Sequence, residues 1–120
     1  MGGGQSIAYD TLLELCQNHQ RRIVLAVLAA ERRTLTLNDL TKTILKHNHH
    51  TPLTEVSVET ATQIQTMLHH VHVPKLLEVG VVTYDSERQL VTPTARFEQL
   101  QPRLSTIIDA DPELTVPLEL

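Results

Sequence analysis

The stretch from Ala61 to Thr92, ATQIQTMLHHVHVPKLLEVGVVTYDSERQLVT, narrows the choice of fold more than any other part of the chain. Its first part carries apolar residues at Ala61, Ile64, Leu68 and Val71, a spacing that lines up on one face of a helix. Gly80 then supplies the residue that most easily takes the left-handed conformation closing a helix. Beyond it, Val-Val-Thr-Tyr and Gln-Leu-Val-Thr are rich in β-branched and aromatic residues and flank the polar turn Asp85-Ser86-Glu87-Arg88. A helix feeding a hairpin at 81–92, behind shorter helices, is the layout of a winged helix-turn-helix. The expected class is therefore α+β and mainly helical, with the hairpin as wing and one more helix after it.

The segments before it fit that layout. Tyr9, Leu12, Leu13 and Cys16 mark one face of a helix over about 8–17, and Asn18-His19 is the expected break. Ile23, Val24, Val27 and Leu28 place a second helix at about 20–31. Arg21 and Arg22 fall in its first turn, as solvated charges or as partners of Glu14. Thr34-Leu35 suggests a brief strand. Thr36-Leu37-Asn38-Asp39 has the form of a capping box and opens a third helix to about Lys46, with Leu37, Leu40, Ile44 and Leu45 inward. His47 to Pro52 reads as a polar loop. The fourth helix begins near Ser57, with Thr51-Pro52 as an earlier alternative, and Pro74 is expected to kink it or break a hydrogen bond.

After the hairpin, Thr92-Pro93 reads as a helix cap with Pro at the first helical position. Phe97, Leu100, Leu104 and Ile107 then recur at helical spacing, with Pro102 interrupting or restarting the helix. This makes one domain over 8–108, between a flexible start at 1–7 and an acidic flexible tail at 109–120. The start formally matches an N-myristoylation pattern, Gly2 with Ser6, but nothing else in the sequence points to a membrane.

From Leu68 to Val82, LHHVHVPKLLEVGVV followed by Tyr84-Asp85 resembles a phrase found in winged-helix domains common in haloarchaea. Glu14-Leu15 through Leu28 also resembles the start of that family and of the ArsR-like repressors. The resemblance spans about 9–94. It implies a DNA-binding transcriptional regulator with the fourth helix as the recognition helix.

Composition sets limits on that reading. The 120 residues are 41% hydrophobic but only 2% aromatic, so the core must be built from Leu, Val, Ile and Ala. No apolar run is long enough to span a bilayer, and a cytoplasmic location is expected. The single Cys16 excludes an internal disulfide and a Cys-based zinc framework. Seven histidines offer no His-x-x-x-His pair at helical spacing, so no metal is expected; His72 projects toward the core. There is no Gly-rich phosphate loop and no nucleophile motif, so neither catalysis nor a cofactor is expected.

For DNA, the outward face of the fourth helix carries Glu59, Thr62, Gln63, Thr66 and His70. Gln pairs bidentately with adenine and the Thr methyl packs on thymine. Phosphate contacts are expected from Lys42 and Lys46 on the third helix, Arg32-Arg33 before it, Lys75 past the kink and Arg88 at the wing tip. A net charge of −4 argues the other way, because phosphate neutralisation supplies most non-specific affinity. The alternative is a winged helix that serves as a protein–protein interaction module. The apolar seam Phe97, Leu100, Leu104 and Ile107 is the expected interface of a homodimer on two-fold DNA.

Overall fold

A computed structural model of the chain describes residues 7–49 and 57–114. Helix α1 covers Tyr9–Leu15 and α2 His19–Glu31. Strand β1, Leu35–Thr36, leads into α3, Leu37–His49. Helix α4, Val58–Met67, passes through a π turn at Leu68–His72 into α5, Val73–Val79. Strands β2, Val82–Asp85, and β3, Leu90–Pro93, form the wing, followed by α6, Ala95–Asp109, and a 3₁₀ turn at Pro112–Leu114. The fold is an α+β winged helix, as the helix–Gly–hairpin pattern predicts.

Helix α2 is the hub. Asn18 caps it by accepting a hydrogen bond from the Arg21 amide at 3.1 Å. Six consecutive residues, Ile23 to Leu28, are buried, so this helix is apolar around its whole circumference and must be enclosed. α3 and α6 pack against it. The seam expected to join two copies closes it from one side: Phe97, Leu100 and Leu104 are buried, and Ile107 packs on the same core. Phe97, Leu100 and Leu104 are thus the lid of the protein's own core, with Ile107 half-buried at its edge.

The capping box at Thr36 forms as expected. Its hydroxyl accepts from the Asp39 amide at 2.9 Å, and the Asp39 carboxylate accepts from the Thr36 amide at 3.2 Å. α3 continues to His49, three residues past the expected end and into the expected loop. The remainder of that loop, with the Thr51-Pro52 start, lies outside the described residues. Ser57 caps α4, accepting from the Thr60 amide at 3.1 Å.

Pro74 has no amide to return to the His70 carbonyl, and its ring would crowd that carbonyl in a regular helix. The chain resolves the conflict one turn earlier. Residues Leu68–His72 widen into a single π turn, with the Val73 amide bonded to the Leu68 carbonyl five residues back. α5 then stops in a Schellman motif: Gly80 at φ +84° donates to Leu77, and the Val81 amide reaches back to Leu76 at 3.2 Å.

The three-stranded antiparallel sheet has the order β1-β3-β2. Leu35 pairs with Val91, and Val82, Tyr84 and Asp85 pair with Pro93, Val91 and Leu90. Pro93 thus ends β3 instead of starting α6, because β1 reaches only Leu90 and Val91 and demands no amide from Pro93. Thr94 occupies the cap position, but its hydroxyl donates to the Gly80 carbonyl at 2.7 Å, tying α6 to the end of α5. Pro102 neither interrupts nor restarts α6, which runs unbroken through it.

Further differences concern the ends. Tyr9 is exposed, not part of the inward face of α1. β1 lies one residue later than Thr34-Leu35, and Thr34 instead shares a side-chain hydrogen bond with Thr92 at 2.7 Å. Ile7, the last residue of the expected flexible start, is buried. Asp111 forms a 3.1 Å ion pair with Arg22, and Leu114 is buried, so the expected tail from 109 is packed on the body as far as Leu114. Among the described residues, no helix is long and apolar enough to cross a membrane.

Candidate nucleic-acid interface

Helix α4 buries one side through Ile64 and, beyond it, Leu68, and presents the opposite side to solvent. Glu59, Thr62, Gln63 and Thr66 lie exposed along that outer side. Val58, 81% exposed, and Met67, 39% exposed, flank it. A groove of about 290 Å³ runs between α3 and α4, with Lys42 on one wall and Thr62 on the other. Lys46 is exposed one helical turn beyond Lys42. Both lysines thus sit on the helix that supports α4.

The wing turn is built by its own first residue. The Asp85 carboxylate accepts from the amides of Glu87 and Arg88 at 3.1 and 3.2 Å. Arg88 stands exposed at the tip, next to Glu87. Gln89 takes a left-handed φ of 56°, and its carbonyl accepts from the Leu37 amide at 3.0 Å. This bond fastens the wing to the start of α3. Burial and the neighbouring Asp85 carboxylate push the Tyr84 phenol above its usual pKa.

The π turn does two things at once. His72 points inward and is fully buried, as its projection implies. Its Nδ1 lies 3.4 Å from a guanidinium nitrogen of Arg21, and its Nε2 lies 3.4 Å from the Gln20 side-chain carbonyl. A guanidinium only donates, so Nδ1 accepts and Nε2 carries the proton. Burial, then the charges of Arg21 and Lys75, lower its pKa to about 4 and keep it neutral. His69 and His70 point the other way, exposed, with ring centroids 4.7 Å apart and planes at 89°. His69 Nδ1 is 3.4 Å from the Tyr84 hydroxyl on the wing.

The expected residues therefore divide. Thr62, Gln63, Thr66, His70, Lys42, Lys46 and Arg88 lie on α3, α4, the π turn and the wing. Lys75 does not join them: it lines a crevice with Glu14 and Glu78 against α1. Arg21, Arg22, Arg32 and Arg33 are engaged by other groups of the fold. Arg21 is buried and donates to the carbonyls of Leu15 at 2.7 Å and Glu14 at 2.8 Å. It is not a solvated charge: it meets Glu14 through that residue's backbone carbonyl, with the Glu14 carboxylate charge favouring the guanidinium. Arg22 spans Asp111 and the Cys16 carbonyl, Arg33 pairs with Glu31 at 3.2 Å, and Arg32 reaches Gln101 at 3.4 Å. Burial raises the thiol pKa of Cys16, leaving a thiol instead of a reactive thiolate.

His69, Tyr84 and Gln89 belong to this face although the outward projection of the fourth helix omits them. A uniform 100° per residue cannot register a turn of different width, nor a contact across 15 residues to the wing. Among the described residues, no three His, Cys, Asp or Glu side chains are grouped to hold a metal ion.

The profile of a family described as a domain of unknown function (DUF7344) matches residues 13–92. No curated protein and no solved structure matches the chain.

Proposed function

The chain belongs to the DUF7344 family, and from the face described above we propose that it is a DNA-binding regulator of transcription. Helix α4 enters the major groove and the wing contacts the flanking backbone or minor groove. One observation carries this reading: α4 turns an exposed row of Thr62, Gln63 and Thr66 outward, between lysines on α3 and an exposed Arg88 on the wing. A reading surface flanked by phosphate contacts is what a winged helix needs to bind duplex DNA. The likeness of its LHHVHVPKL phrase to haloarchaeal winged-helix regulators supports the same role. No catalysis and no cofactor enter this reading.

The charge pattern sets the character of binding. With few cations on this face, and with the anions Glu59 and Glu87 beside them, non-specific affinity is low and base contacts carry much of the selectivity. Titrating fragments of the protein's own upstream DNA at low salt tests this. Gln63→Ala is expected to cost on the order of 1–3 kcal/mol at one base step and to relax preference there. If no fragment binds better than random duplex, the reading fails.

A second reading has its own observation. Val58 and Met67 expose apolar surface along the same row that holds Glu59 and the neutral Thr and Gln side chains. That mixture also suits a protein partner laid across α4, making the domain an interaction module. Capture of a partner that Thr62→Arg abolishes, without DNA binding, would favour it.

A further inference from the structure

The recess where the π turn meets the wing is lined by Leu37 from α3, Gln65 and Thr66 from α4, His69 and His70 from the π turn, and Gln89 from the wing. Four elements of the fold converge there, and the Leu37–Gln89 backbone bond joins two of its walls. None of its lining side chains is a carboxylate. It offers a hydroxyl, two imidazoles and two amides, all able to donate hydrogen bonds. On the wing, Asp85 has its Oδ1 engaged by the turn amides of Glu87 and Arg88.

We propose that this recess, formed by the π turn and the wing, holds one backbone phosphate of bound DNA, with His69, His70, Thr66 and Gln89 as donors and Tyr84 as the positioning residue. The inference rests on the DNA reading above and adds a site to it. Phosphate oxygens are commonly held by neutral Thr, Gln and imidazole donors as well as by Lys and Arg. A face with few cations can therefore still fix its register on the duplex.

Tyr84 orients His69 by a specific route. When the phenol donates to Nδ1, the imidazole proton sits on Nε2, which is then left as a donor for the ligand. The perpendicular packing of the His70 ring against His69 restrains both rings. The π turn is what makes this possible, since it carries His69 to the wing while His72, three residues on, is buried against Arg21.

The test is a fluorescence-anisotropy titration of the full chain against two duplexes, one of random sequence and one the best-binding genomic fragment. His70→Ala and Tyr84→Phe are expected to weaken both duplexes alike, by about two- to tenfold, the worth of roughly one hydrogen bond. The ratio between the duplexes should not change, because a phosphate contact carries no sequence information. His69→Ala should behave in the same way. Thermal midpoints of all three variants should stay at the unaltered value, since these side chains are exposed or half-buried; Tyr84→Phe also keeps the ring in place. Unchanged affinity in all three variants, while Gln63→Ala still relaxes preference, overturns this site and leaves the DNA reading standing. A loss confined to one duplex overturns it too. Failure of the unaltered protein to bind either duplex overturns both.

Discussion

At the scale of single residues, Arg21 and His72 show how much of this fold rests on one polar contact inside an aliphatic core. Arg21 satisfies two carbonyls at the end of α1 and meets His72 at the end of the π turn. A buried guanidinium is tolerable only with such partners. Arg21→Met should therefore cost on the order of 2–4 kcal/mol in a urea titration, chiefly by stranding the two carbonyls. His72 makes stability depend on pH. Its folded pKa of about 4 lies below the 6.5 of an unperturbed imidazole, so the unfolded chain binds the proton more readily. Its contribution is intact above pH 6.5, falls as pH drops from 6.5 to 4, and levels off below. The loss should reach roughly 3 kcal/mol, and urea midpoints taken across that window measure it. The inward direction of His72 was legible from helical spacing. Its partner was not, because Arg21 stands 51 positions away and a first-turn arginine ordinarily faces water.

The same division holds for whole elements. The capping box, the Gly80 stop and the hairpin could be read directly, since each depends on neighbours within a few residues. Gly80→Ala tests the stop: a Cβ there would meet Arg96 side-chain atoms at 3.7 Å, an ordinary contact, so only the left-handed backbone is strained. A loss of about 1 kcal/mol in unfolding free energy is expected. The C-terminal seam shows where spacing stops informing. Periodicity placed Phe97, Leu100 and Leu104 on one face of a helix but could not say whose core that face meets. Here it is the chain's own, with the Gln101 amide donating to the Ala29 carbonyl at 3.2 Å to fix α6 across the end of α2. Leu104→Asp should accordingly unfold the domain, with a loss above 3 kcal/mol by thermal denaturation, instead of merely separating two folded copies. Nor could the sequence predict that Pro74 would be absorbed by a π turn, a feature set by packing on both sides of the helix.

For the molecule as a whole, the question is what a winged helix of net charge −4 does with its few cations. The fold itself draws in Arg21 and Arg22 and pairs Arg33 with Glu31 at the surface, so local charge on the α4 face is set mainly by Lys42, Lys46 and Arg88. That accounting could not be made from composition, which counts a buried arginine and an exposed one alike. On the DNA reading, Arg88→Ala should weaken all sequences equally and make the log–log salt slope shallower by about one. The most direct measurement is a map of backbone amide shifts in the labelled protein as its best-binding duplex is added. The account predicts that shifts concentrate at Thr62, Gln63, Thr66, His69, His70 and Arg88 while α1 and α6 stay silent. Shifts centred on α1 or α6, or none at saturating duplex, would contradict it.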